Sequence, residues 1–302
     1  MKSPFLKNVL SYSLNRDIPF DPDELQAQLK HFEFTPCAAQ DFAKSGWVNV
    51  TPEALALVED GQILLCYQTE SKIIPPATIN DDVAARVEKI EREQSRKVRR
   101  SERLTLKDEA LQALLPRAFS RRSQAYLWID SIQNRIFVEA ASAKSAEDML
   151  ALLRKTVGSL PVVPMMASDP IELTLTEWIR TGDLPAGYAI GDEAELVAIL
   201  EEGGKLGCKK QDLLSDEVRS HIEAGKLVTK LALDWQERMQ FRLADDFSLK
   251  AIKYSDGLVE QNDDIDREDV HSRMRADFLL FTSEFTSCYG SLLEALGGEA
   301  KR

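Results

Sequence analysis

Tyr126-Leu127-Trp128-Ile129-Asp130, then Ser131-Ile132-Gln133-Asn134, then Arg135-Ile136-Phe137-Val138-Glu139-Ala140 read as two β-strands folded back on each other through a short polar turn. β-branched and aromatic residues crowd both runs, and four residues between them suffice only for an antiparallel hairpin. The pattern returns at 227–235 and 239–243, which alternate strongly around a second short turn. Working outward, residues 8–14, 62–68 and 195–200 read as further strands. Asp21-Pro22-Asp23-Glu24 opens a short helix through Leu29. Ser145 reads as the N-cap of a helix ending at Gly158. Residues 170–180, carrying Trp178, read as a helix, and so do residues 215–224, which run from the cap Ser215 to the stop at Gly225. The Phe/Leu spacing of 270–296 predicts a long helix that closes at Gly297-Gly298. Strands and helices come in blocks without βαβα alternation, so the class is α+β, with mixed antiparallel sheets and helices. The chain reads as one unit over 1–302. Its best internal boundary is the proline-rich stretch 160–170, with 1–160 on one side and 170–302 on the other.

The chain has 302 residues, 44% hydrophobic and 29% charged, with a net charge of −12. A disordered tail and a wholly basic nucleic-acid binder are both excluded. Cys37, Cys66, Cys208 and Cys288 lie far apart with no CxxC pair, which predicts reduced thiols and no zinc site. Pro4 and Lys7 interrupt what would be the apolar core of a signal peptide, and no apolar run approaches the roughly 20 residues of a membrane span. A cytoplasmic protein is expected.

Catalytic motifs are sparse. Gly203-Gly204-Lys205-Leu206 imitates the end of a phosphate loop, but Ile199 stands where the first glycine belongs and Leu206 replaces the magnesium-binding Ser or Thr. A tight turn is the better reading. The acids Asp263, Asp264, Asp266, Glu268 and Asp269 lack the glycine and terminal glutamate of a calcium loop and read as a solvated linker. His31, His221 and His271 are isolated. No cofactor or metal is expected, although carboxylates converging from distant positions into a metal-dependent nuclease site would leave no local motif.

Charge is distributed unevenly. Residues 86–122 hold 12 basic and 6 acidic side chains, a net of +6, so the other 265 residues carry −18. The pattern is helical from Asn80 to about Arg103, and Thr105 with Asp108 imitates the cap of a second helix that Pro116 should end or bend. If one helix instead runs unbroken over 83–107, then Lys89, Arg92, Arg96, Arg99, Arg100, Arg103 and Lys107 fall within an arc of roughly 100°, opposite Val83, Val87, Ile90 and Val98. That makes a cationic ridge about 27 Å long with few acids in register. It suits phosphates, or else is an ordinary solvated face paired with acids elsewhere. Phe119, among Arg117, Arg121 and Arg122, is either core or an exposed contact. Residues 207–212 place Lys209, Lys210 and Gln211 on a turn suited to phosphate and sugar contacts, or merely solvated.

The string Leu115-Pro116-Arg117-Ala118-Phe119-Ser120-Arg121-Arg122, with Trp128-Ile129-Asp130, Val138-Glu139-Ala140-Ala141-Ser142-Ala143, Cys208-Lys209-Lys210-Gln211-Asp212-Leu213, Leu231-Ala232-Leu233-Asp234-Trp235 and the ending from Leu293 to Glu299, resembles the bacterial RdgC family. The resemblance spans nearly the whole chain. It implies a horseshoe-like subunit of a ring-shaped homodimer in the cytoplasm and nucleoid, non-enzymatic, binding double- and single-stranded DNA with little sequence preference and restraining RecA in recombination and replication fork repair. By that resemblance Arg96, Arg117, Lys210, Gln211 and Lys226 fall on the DNA-facing surface or the ring's closing contacts, and Phe119 at a dimer contact. The helix reading adds Arg99 and Arg100. A metal-dependent nuclease and a non-DNA protein-interaction scaffold are the alternatives.

Overall fold

The structure, a computed structural model, describes residues 3–16, 21–200, 203–266 and 268–300; Met1 and Lys2 of the N-terminal reading lie outside them. Strands β1 (Val9–Leu14), β2 (Ala43–Val48), β3 (Ala56–Glu59), β4 (Gln62–Ile73), β5 (Phe119–Asp130), β6 (Arg135–Glu139), β7 (Val162–Pro164), β8 (Tyr188–Ala198), β9 (Lys205–Lys209), β10 (Lys226–Trp235), β11 (Met239–Ala244) and β12 (Leu249–Tyr254) form one sheet. Its order is β2-β4-β5-β6-β1-β12-β11-β10-β8-β9, with β3 on β4 and β7 on β1. All pairings of these strands are antiparallel. The helices are α1 (Pro22–Lys30), α2 (Pro76–Gln94), α3 (Arg100–Leu114), α4 (Ala143–Val157), α5 (Ile171–Thr181), α6 (Asp216–Glu223), α7 (Asp256–Val259) and α8 (Val270–Ala295). The fold is α+β, as the hairpin blocks predict.

Both expected hairpins form, with Trp128 opposite Phe137 and Leu233 opposite Phe241. Alternation along β5 and β6 then feeds two cores. Trp128 and Phe137, stacked at 4.3 Å, face α8, whose Phe281, Phe285 and Tyr289 recur at helical spacing and meet them edge-on at 5.1 to 5.6 Å. Leu127, Ile129, Ile136 and Val138 face the other way, onto Leu25 and Leu29 of α1 and Met149, Leu150 and Leu153 of α4. The α8 core continues under β8–β12, joining the two halves of the sheet. Between β1 and β12 the ladder itself is a single pair, Val9 with Leu249.

Several local expectations need correction. α4 is capped by Ser142, in extended conformation, whose Oγ accepts the Ser145 N–H at 3.3 Å. Strand β8 begins at Tyr188, earlier than its apolar end at 195–200 indicated. The tight-turn reading of Gly203 and Gly204 holds: the Gly203 N–H donates to the Leu200 carbonyl at 2.8 Å, and the pair leads into a strand, so no helix dipole stands behind their N–H groups. Thr105 lies inside α3, its hydroxyl bonded to the Ser101 carbonyl at 3.4 Å. The unbroken helix over 83–107 does not exist. Ser95 adopts a left-handed conformation (φ 51°), the chain reverses over 95–99, and α3 packs back on α2. The physical reason is the apolar stripe itself: on one long helix Val83, Val87, Ile90 and Val98 would face water, whereas folding in two buries Val83 and Val87 against Leu106 and Ala110, with Ile79, Ile90 and Val98 around them.

Candidate nucleic-acid interface

The helical hairpin is inserted between β4 and β5, whose ladder runs from Gln62 opposite Asp130 to Ile73 opposite Phe119. Of β5, only Leu127–Asp130 pair with β6, so 119–124 form an exposed arm with no strand on its outer edge among the described residues. At about 1.5 Å per residue, α2 and α3 extend the arm by roughly 20–30 Å.

Folding the chain in two rearranges its charges. Arg96, expected on the ridge, sits in the turn, where both terminal nitrogens engage Glu102 at 2.8 and 2.6 Å. Glu102 also accepts the Arg99 N–H at 2.9 Å; the Arg96 guanidinium first, then that N–H, pull its carboxyl down to about 2. Lys97 pairs with Glu91 at 2.8 Å, and Glu91 also takes the Val98 N–H, so its carboxyl too lies below the ordinary range. Arg92 pairs with Glu88, and Arg86 with Asp82. The expectation of an uncompensated ridge therefore fails at Arg92 and Arg96. It holds at Lys89, Arg99, Arg100, Arg103 and Lys107, which have no ion pair among the described residues. Arg99 and Arg100, where α3 begins, crown the tip; Arg103 and Lys107 continue along one side of α3.

At the base of the hairpin Arg117 is exposed in a 3-10 turn that follows α3 at Pro116. Phe119 is 87% exposed, which decides between its two readings: it is no core residue of this chain. Cross-strand Ile73 is 49% exposed, and Phe42, bonded through its carbonyl to the Lys72 N–H, is 55% exposed. The sequence reading missed Ile73 as a neighbour, because only the β4–β5 register brings it to Phe119; Phe42, opposite Lys72, belongs to the other face of the sheet. Arg121 is also exposed and unpaired among the described residues. Arg122 is not: it binds the buried Glu70 at 2.8 Å and lies over the Phe34 ring at 5.7 Å. Hydrogen bonds from Ser120 and Arg122 hold the Glu70 carboxyl below its usual value.

Lys210, Gln211 and Lys226 lie elsewhere. Lys210 follows the end of β9 in a left-handed conformation (φ 52°), exposed. The Gln211 amide donates to Glu217 at 2.9 Å and its N–H to the Asp192 carbonyl at 3.3 Å. Lys226 begins β10, opposite Ala198. Seven strand steps separate β5 from β9, or about 34 Å along a flat sheet at ~4.8 Å per step. One chain therefore does not unite the site residues: Arg96, Arg99, Arg100, Arg117 and Phe119 occupy one end of the sheet, and Lys210, Gln211 and Lys226 the other.

Among the described residues no three His, Cys, Asp or Glu side chains converge as a metal site requires, and no helix is long and apolar enough to cross a membrane. Comparison with known proteins matches residues 5–299 to the family model described as "Putative exonuclease, RdgC". The recombination-associated protein RdgC of Serratia proteamaculans (strain 568) is 56% identical over 301 residues, covering 99% of each chain. That of Yersinia enterocolitica is 56% identical over 300 residues, covering 98% of this chain and 99% of its own. With a family match and identity of this extent running through the arm, the basic hairpin and the distant β9 corner alike, the chain belongs to the RdgC family.

Proposed function

We propose that this chain acts in DNA recombination as a non-catalytic DNA-binding protein of the cytoplasm and nucleoid. It takes double- and single-stranded DNA with little sequence preference and restrains a RecA-type recombinase by occupying its DNA. The observation that carries the reading is the hairpin: five cations without ion pairs among the described residues, held on a two-helix scaffold projecting from a chain of net charge −12. Guanidinium and ammonium groups on exposed helix faces suit phosphate oxygens, which fix position without reading bases, and counterion release supplies the affinity. The relatives' name, recombination-associated protein RdgC, agrees with a role in recombination.

Two copies form the working unit in this proposal. Phe119 and Ile73, paired across β4 and β5 and both exposed, make an apolar patch beside an open strand edge, a combination that suits burial against a second copy. Lys210, Gln211 and Lys226 at the opposite end suit either the second contact or DNA itself, and contacts at both ends would close two horseshoe-like chains into a ring with both hairpins inside. The internal boundary near 160–170, where β7 gives way to α5, would let the two parts adjust as the ring closes.

DNA affinity measured against salt on duplex and single strands, with the mass of the species in solution, tests the proposal; a monomer without salt-dependent binding refutes it. The name of the matching family makes an exonuclease the second reading. End-labelled linear duplex incubated with magnesium or manganese separates the two, since binding alone leaves full-length DNA.

A further inference from the structure

We infer that the groove between α2 and α3 docks an acidic amphipathic peptide of a partner protein. The groove is a cavity of about 350 Å³ lined by Asn80, Val83 and Ala84 from α2 and by Arg103, Leu104 and Lys107 from α3. Its chemistry differs from that of two larger clefts: one of about 730 Å³ on the β8–β12 face mixes Asp192, Glu193, Asp212 and Asp234 with Arg242 and Lys253, and one of about 500 Å³ beside α4 contains Glu139 and Asp148. The helical groove has two cations on its wall and no carboxylate. Neither Arg103 nor Lys107 has an ion pair among the described residues. Leu104, one turn before Lys107, is 60% exposed on a hairpin whose own core is only four buried side chains.

A phosphodiester backbone would answer the two cations but offers little apolar surface to the exposed Leu104 and Ala84. A peptide that alternates carboxylates with large apolar side chains answers both, and does so as helix grooves receive amphipathic segments generally. At this volume the groove is at the lower end of the size of binding pockets, about 300 Å³, enough for one or two apolar anchors. Because Arg103 and Lys107 also belong to the cationic set proposed to meet DNA, the docked peptide and DNA compete, and an acidic partner becomes a means of releasing DNA from the hairpin.

The test uses the full chain and a fluorescent synthetic peptide of about ten residues mixing Asp with Leu and Phe, beside a control with every Leu and Phe replaced by Ser. Binding is followed by anisotropy for the wild type, Leu104→Ser and Lys107→Ala, with duplex affinity and sedimentation run on the same samples. Both residues are exposed, so both variants should fold. Expected are saturable peptide binding, an order-of-magnitude or greater loss in Leu104→Ser from the unburied leucine, a loss in Lys107→Ala, a weaker control peptide, and duplex affinity of Leu104→Ser within about twofold of wild type. Absence of peptide binding, equal binding by Leu104→Ser, or equal binding of the control overturns the inference. So does a parallel loss of duplex affinity in Leu104→Ser, which makes the groove a DNA contact, or a change in its sedimenting mass, which makes the occupant a second copy. Failure of the DNA proposal would show instead as wild-type protein that binds no duplex, and would leave the peptide result standing.

Discussion

Replacing Arg99 and Arg100 together by Ala isolates the charge at the hairpin tip. Both are exposed, neither has an ion pair among the described residues, and neither side chain belongs to the buried seam between α2 and α3. Stability should therefore change by no more than about 0.5 kcal/mol. Each cation that displaces a counterion contributes about 0.9 to the slope of log K against log salt, so the double variant should flatten that slope by about 1.8 on B-DNA, or about 3.6 if two copies face one duplex. Across a fourfold rise in salt, from about 50 to about 200 mM, a change of 1.8 narrows the affinity gap between wild type and variant by about twelvefold. Arg96→Ala should act differently. Its guanidinium is already held by two bonds to Glu102, so its release to a phosphate costs an existing ion pair, and the slope should flatten by less than for Arg99→Ala. Fluorescence anisotropy on a random-sequence duplex of about three helical turns, titrated at four salt concentrations, measures all three. An Arg99/Arg100 variant with the wild-type slope would refute the assignment of the tip to phosphate contact.

Three further outcomes follow from named contacts. Phe119→Ser should weaken self-association while leaving the monomer's thermal stability intact, since 87% of the side chain is exposed in the single chain; equilibrium sedimentation giving the wild-type dissociation constant would count against the dimer contact. Phe285→Ala removes a fully buried ring packed on Trp128, Phe137, Phe281 and Tyr289, and should cost about 3–5 kcal/mol in urea denaturation. Glu102 has its carboxyl depressed to about 2 in the folded chain, below its ordinary value of 4.5. Its contribution is therefore complete above about 4.5 and fades as the pH falls through about 2; a carboxyl-carbon NMR titration should place its midpoint near 2, and a midpoint near 4.5 would show that the Arg96 contact does not hold in solution.

The hairpins were legible because each is local: alternation on both sides of a short turn specifies strand, turn and face at once, and β5–β6 and β10–β11 follow. The β4–β5 ladder was not, because 45 residues separate Ile73 from Phe119 and no local pattern sets a register across an insertion. The break at Ser95 carries no glycine or proline to announce it, so a stripe that fits one long helix fits two short ones equally well. The cationic character of 86–122 could be read directly, but its pairing could not. Arg96 with Glu102 and Lys97 with Glu91 each span six residues, a spacing that a reversing turn brings together. Thr105 misled because a hydroxyl with an acid three residues later marks a helix start only where the backbone before it is extended.

The placement of α8 sets an order on synthesis. Trp128 and Phe137 are on the ribosome-made chain long before residues 274–296, which hold the side chains that cover them, and at roughly 5–20 residues per second that interval is about 8–30 s. During it the β5–β6 hairpin can bury its Leu127 and Ile129 face against α1 and α4, but it keeps an aromatic face open to solvent and to any chaperone that recognises one. The nascent first half is thus a one-sided sheet awaiting its lid, while the arm, held by the β4–β5 ladder, and its charged hairpin, held by a core of its own, can form before α8 is made.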